Sequence, residues 1–291
     1  MTFRENANIG AGRASRGGGG SGGLAVGGGL GALVLALVVM LLGGDPGAIL
    51  GGQEPTTSNA QNVDLAECRT GADANENIDC RMKATMLSLE DYWTAAYPSA
   101  QPADAILFSG GVNTGCGQAS SAVGPFYCPV DRHIYLDTAF FQQLEGQLGG
   151  DGGSFSQMYV LGHEYGHHIQ NYTGALKASQ QDAQGPESGA VRVELQADCF
   201  AGAWAGNATQ TKDADGNLLL EPLSREDIES ALSAASAVGD DSIQEKMQGQ
   251  VTPHTWTHGS SEQRMGWFMR GYESADPNQC DVLNASSVND Y

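Results

Sequence analysis

At 291 residues, 41% of them hydrophobic, the chain has apolar material for one sizeable core and is too short for more than two modest domains. Its formal net charge of −20 repels phosphate backbones and anionic headgroups, so nucleic acid is not expected among its partners. Acidity of this degree bears on solubility and says little about a substrate.

Residues 1–23 form a Gly/Arg/Ser-rich stretch without periodicity, expected to be a disordered tail. Leu24 to Leu42 then runs for 19 residues without a charge, close to the ~20 needed to cross a bilayer core. Arg4, Arg13 and Arg16 precede this run with only Glu5 against them. The positive-inside tendency therefore predicts a single-pass membrane helix with a cytoplasmic N-terminus and the bulk of the chain outside. A cleaved signal peptide is the alternative, disfavoured by the length of the run and the absence of an A-x-A site. Residues 43–62 read as a flexible linker of Gly, Pro and small polar residues, which leaves 63–291 as the folded extracytoplasmic domain.

Within that domain, Met82, Met86, Leu89 and Trp93 recur at helical steps and predict a helix over 80–97. The runs AILF (105–108) and HIYLD (133–137) are β-prone and bounded by turn residues. A helix is expected around 138–148. Another is expected over 155–172, with Ser154 as N-cap and Gly174 as its stop, and a further one runs from about Ser188 to Trp204. DADGN (213–217) has its glycine in the wrong place for a calcium loop and reads as a tight turn. Ser224 and Asp227 resemble the capping box of the next helix. All six cysteines, Cys68, Cys80, Cys116, Cys128, Cys199 and Cys280, fall in the outer domain, where an even count favours disulfides. Two local pairs share one spacing, which suggests Cys68–Cys80 and Cys116–Cys128 and leaves Cys199–Cys280.

The chemistry concentrates in His163-Glu164-Tyr165-Gly166-His167, an HExxH sequence. At about 100° per residue the two histidines stand one turn apart on one helix face, so both imidazoles can reach one zinc ion. Glu164 lies beside them, placed to act as general base on a water without ligating the metal. Met158, Leu161, Tyr165, Ile169 and Tyr172 form an apolar stripe on the opposite face, as a helix with its back in a core requires. His168 points away and is expected to pack, and His133 and His254 belong to no constellation. A bare HExxH arises by chance often enough that a second segment matters.

That segment is VRVELQADCFAGAW. Zinc with an open catalytic position takes three protein ligands, and Glu194 is the candidate for the third. Asp198, one turn later, is placed to accept a hydrogen bond from a ligating imidazole. Further on, His258 is a candidate oxyanion donor or a competing ligand, and Arg264 is expected to anchor its loop on a carboxylate. Two rivals are a non-enzymatic zinc-binding interaction module and a closed structural zinc site. The first has no need of Glu164, and the second usually carries four Cys/His ligands.

GPFYCPVDRHIYLD (124–137), HEYGHHIQ (163–170), ELQADCFAGAW (194–204) and THGSSEQR (257–264) together resemble the bacterial neutral zinc metallopeptidase family. The match runs in order over roughly 64–284. HExxH followed by ExxxD is also similar to gluzincins of the membrane-peptidase type, although Gly259 stands where their Thr-His-Pro segment has proline. The resemblance implies an α/β zincin-like domain with a small twisted sheet and an active-site helix, preceded by one transmembrane helix. It also implies a zinc cofactor and a peptide or protein substrate.

Overall fold

A computed structural model describes residues 3–17 and 63–291. In chain order these form β1 (Ala14–Arg16), β2 (Val63–Asp64), α1 (Gly71–Glu76) and α2 (Ile78–Ala96). Next come β3 (Asp104–Phe108), β4 (Gly111–Thr114), β5 (Gly117–Ser120), β6 (Phe126–Cys128) and β7 (His133–Asp137). The remainder is helical: α3 (Phe140–Gly146), α4 (Ser154–Thr173), α5 (Lys177–Gln181), α6 (Gly189–Asn207), α7 (Arg225–Ala237), α8 (Asp240–Gln248) and α9 (Ser261–Ser274). The fold is mixed α/β, with small sheets and many helices.

The main sheet has the order β2-β1-β3-β7-β6. The two apolar runs form its centre, β3 parallel to β7 with Ile106 opposite Tyr135. Four successive residues of each strand are buried, the pattern of strands covered on both faces. β6 lies antiparallel to β7 at one edge, and β4 with β5 makes a separate hairpin.

The N-terminal segment overturns an expectation. Residues 3–17 are not a disordered tail. β1 lies inside the main sheet, parallel to β3 with Ser15 opposite Ile106 and antiparallel to β2 with Arg16 opposite Val63. Phe3, Ala7 and Ile9 are buried in the common core, and the Arg4 N–H donates to the Leu219 carbonyl at 2.9 Å. A single membrane crossing between Arg16 and Val63 would put these paired residues on opposite sides of a hydrocarbon core ~30 Å thick. The expected arrangement, a cytoplasmic N-terminus anchoring an outer domain, is therefore corrected. Leu24–Leu42 and the linker 43–62 lie outside the described residues, and among the described residues no helix is long and apolar enough to cross a membrane.

Two helices set the site. α4 is capped by Gly153, one residue before the expected Ser154, and stops at Gly174 in the left-handed conformation, φ 83°. Every residue from Phe155 to Gln170 is buried, so α4 runs through the middle of the molecule. Tyr172 is the exception to the expected stripe: at 48% exposed it sits where the last turn emerges into solvent. α6 starts at Ser188, whose hydroxyl accepts from the Val191 N–H at 3.2 Å. The two helices approach closely because Gly166 has no side chain; a Cβ there would stand 3.1 Å from Ala197 Cα and its carbonyl oxygen. α9 crosses α6 through Gly202 and Gly271, where a Cβ on either would collide with the partner's backbone.

All three disulfides form, Cys68–Cys80, Cys116–Cys128 and Cys199–Cys280. The last ties α6 to the C-terminal segment. The Ser224/Asp227 capping box is present at α7. DADGN is a turn whose Asp213 carboxylate is taken up by the N–H groups of Asn8, Asp215 and Asn217.

Candidate metal centre

The close passage of α4 and α6 brings His163, His167 and Glu194 together, with one ligand atom from each within 4.8 Å of the others. Their exposures are 7%, 0% and 2%. His163 Nε2 stands 3.2 Å from Glu194 Oε2, and His167 Nε2 stands 3.5 Å from Oε1. These separations are not hydrogen bonds: His167 Nε2 and both Glu194 oxygens are buried without a hydrogen-bond partner. Ligands at ~2.0–2.2 Å around tetrahedral zinc stand about 3.3–3.6 Å from one another, so the spacing suits a shared ion better than a direct contact. Unsatisfied buried polar atoms are expensive, and a cation at their centre would satisfy all of them.

The far nitrogens of both rings are fixed. His163 Nδ1 lies 2.8 Å from Asp198 Oδ1. Arg264 holds Asp198 with two hydrogen bonds, Nε at 2.9 Å and Nη2 at 3.0 Å, and the Tyr159 hydroxyl donates to the same carboxylate at 2.5 Å. Burial opposes ionisation of Asp198, but Arg264 and His163 outweigh it and hold its pKa below the usual range. An ionised Asp198 only accepts, so His163 donates from Nδ1 and turns Nε2 toward Glu194. His167 Nδ1 meets Gln170 Oε1 at 2.8 Å. The Gln170 amide nitrogen donates to the Val193 carbonyl at 2.6 Å, which orients the amide so that Oε1 accepts the Nδ1–H. Both Nε2 atoms therefore face the cluster.

Charge at the cluster follows the same logic. Burial would lower the His163 pKa, yet Asp198 and Glu194 raise it to about 10. Burial would raise that of Glu194, yet the histidines around it hold it below the carboxylate range. The carboxylates thus create a place for positive charge. His167, with burial dominant, is pushed down to about 4 and stays neutral. Glu164, 5% exposed beside the cluster, is pushed up to about 7 by burial. Its Oε2 has no hydrogen-bond partner.

His258 is buried on the other side of the cleft. Its Nδ1 contacts the Thr257 hydroxyl at 2.9 Å and Asp240 Oδ1 at 3.4 Å, which leaves Nε2 for the cleft. Asp240 Oδ2 accepts the backbone N–H groups of Thr257, His258 and Gly259 at 2.7, 2.7 and 3.0 Å, fixing the loop. Sequence reasoning missed Asp240, Tyr159 and Gln170. Tyr159 and Gln170 were within reach, lying four residues before His163 and three after His167 on one helix face. Asp240 offered no signal beyond an acidic residue at a helix start. His168 packs as expected, between the Tyr127 hydroxyl at 3.1 Å and the Gln101 carbonyl at 2.6 Å. His133 and His254 lie outside the cluster.

The family model described as putative neutral zinc metallopeptidase matches residues 1–283. Uncharacterized protein Rv2575 of Mycobacterium tuberculosis is 52% identical over 252 residues, covering 86% of each chain. Uncharacterized protein YpfJ of Escherichia coli K12 is 38% identical over 268 residues, covering 89% of this chain and 88% of the relative. No solved structure matches.

Proposed function

The chain belongs to the family of putative neutral zinc metallopeptidases, and from that premise we propose that it hydrolyses peptide bonds with zinc held by His163, His167 and Glu194. The observation that carries the reading is the convergence of the buried, unpartnered His167 Nε2 and both Glu194 oxygens, with His163 Nε2 beside them at ligand spacing. Bound zinc supplies a Lewis acid that polarises a carbonyl and makes a nearby water acidic near neutral pH.

The chain's own residues do the rest. Glu164, buried beside the cluster with its Oε2 unpartnered, takes a proton from the attacking water and returns it to the leaving amine. His258 donates from Nε2 to the carbonyl oxygen as negative charge develops there, and Asp240 holds the ring in that orientation. Asp198 and Gln170 fix the two imidazoles. In this reading the domain is zincin-like, with α4 as the active-site helix and β6 packed against it. A closed structural zinc site would need a fourth ligand, whereas the cluster among the described residues has three.

The test is metal content and hydrolysis measured together. Purified protein should hold about one zinc per chain, and Glu164→Gln should keep that zinc while losing about 10²–10⁴-fold in rate. Near-wild-type turnover in that variant would remove Glu164 from the mechanism.

A further inference from the structure

The cluster opens on a cleft of about 120 Å³. Its charged lining residues, His163, Glu164, Glu194, His258 and Arg264, belong to the centre described above. Its other walls are mainly apolar: Val123, Phe140, Leu148, Val160, Val238 and Ile243. Val123, Leu148 and Val160 are buried, and Phe140, Val238 and Ile243 pack against the main core, so these walls are held in place. Val160 lies one turn before Glu164 on α4, which puts the apolar surface next to the proposed base.

Glu164 Oε2 and His258 Nε2 face the reacting bond in the proposed hydrolysis, and among the described residues no other charged group of the cleft is free to receive a charged side chain. Arg264 spends Nε and Nη2 on Asp198 and Nη1 on the Val238 carbonyl at 3.3 Å. Glu194 and both cluster histidines face one another, and His258 is held by Asp240 and Thr257. Gln143 and the Tyr159 hydroxyl add the other polar side chains, and Tyr159 is engaged by Asp198. Size narrows the choice further. An apolar cavity of ~150 Å³ holds a benzene molecule, so a cleft of about 120 Å³ suits a branched aliphatic or Met side chain.

We infer that the cleft is a specificity pocket that selects substrates with Leu, Ile, Val or Met at one fixed position next to the scissile bond. The inference rests on the peptidase reading and adds the substrate class to it. Burial of such a side chain favours it over Gly, Asp or Lys by about tenfold or more.

The zinc-loaded protein is mixed with a random peptide library, and cleavage products are read by mass spectrometry. In parallel, zinc-loaded Glu164→Gln captures peptides from the same library. Aliphatic residues should be enriched about tenfold at one position in the products, and among the captured peptides. Ile243→Glu, a change in the partly exposed wall, should abolish the enrichment in both arms, and Ile243→Ala should admit Phe and Trp. Cleavage without aliphatic preference, or a preference that survives Ile243→Glu, overturns the pocket and leaves the peptidase reading standing. Aliphatic capture that is sensitive to Ile243→Glu, without cleavage by the wild type, keeps the pocket and overturns hydrolysis. Neither cleavage nor selective capture overturns both.

Discussion

The α4–α6 pair and the N-terminal segment 3–17 are both buried parts of one core, yet they are specified in opposite ways. In α4 and α6 the information is periodic and local: apolar residues recur every three or four positions, and the reactive residues sit one turn apart. In residues 3–17 no period exists. Phe3, Ala7, Ile9 and Ala14 are buried at irregular steps, and their partners lie far along the chain: Phe3 bridges Leu220, Asn8 bridges Thr70, and β1 pairs with β3. A Gly/Arg/Ser-rich composition is therefore a poor guide to disorder where other parts of the fold supply the other half of each contact.

Deleting residues 3–17 is the harshest way to break the comparison. It removes a strand from between β2 and β3 and uncovers the surface that Phe3 and Ile9 bury, ~1.5–3 kcal/mol for each. The total is comparable to the margin of ~5–15 kcal/mol that keeps a domain folded. The shortened chain should show no cooperative thermal transition. A melting temperature within a few degrees of the full chain would mean that the segment is only laid on the surface.

Asp198→Asn should come next. Asp198 neutralises the buried Arg264 and orients His163, so the variant leaves a guanidinium in the core without its counter-charge. Breaking such a pair costs about 3–5 kcal/mol, and loss of the imidazole's support weakens metal binding by about 10–100-fold. Urea unfolding and zinc competition titration read the two effects separately. A variant that loses stability but binds zinc as before would make Asp198 a structural anchor with no share in the metal site.

Glu194→Ala should separate site from scaffold. It removes two oxygens that have no hydrogen-bond partner together with a charge that the histidines around it stabilise, so the metal-free protein should lose no more than the ~3–5 kcal/mol of a broken buried pair, while zinc is lost on dialysis against a weak chelator. His258→Ala should keep zinc and lose mainly rate. The reverse result in plasma mass spectrometry would exchange the roles of Glu194 and His258.

Much of the site was legible because helical geometry turns sequence spacing into spatial neighbourhood. His163, His167, Glu194 and Asp198 each follow from a spacing of four or from a motif. β3 and β7 were legible as short apolar runs between turn residues, two of the cysteine pairs by their common spacing and the third by elimination. Asp240 was not, because it acts through backbone N–H groups 17 to 19 residues away, and nothing local marks that. The membrane reading failed for the same reason as the tail: hydropathy and charge around residues 24–42 say nothing about whether Arg16 pairs with Val63.

The smallest expected effect tests where periodicity itself stops being informative. Ile169 and Tyr172 are three residues apart on one face of α4 and looked equivalent in the sequence. Ile169 is fully buried, whereas Tyr172 is 48% exposed in the last turn. A large-to-small change at Ile169 removes atoms from a packed core and leaves a cavity, which typically costs ~2–5 kcal/mol. Tyr172→Ser removes a ring that already meets water, and surface changes of this kind usually stay within ~0.5 kcal/mol. The two side chains also differ in what they do for the site: Ile169 packs behind the turn that carries His167, and Tyr172 lies beyond it. Ile169→Ala should therefore lower the urea midpoint clearly and loosen zinc, while Tyr172→Ser should leave both unchanged. If Tyr172→Ser destabilised the protein by 2 kcal/mol or more, about the lower end of a core deletion, the last turn of α4 would have to be covered in solution, and the apolar stripe would extend as far as the sequence period implied.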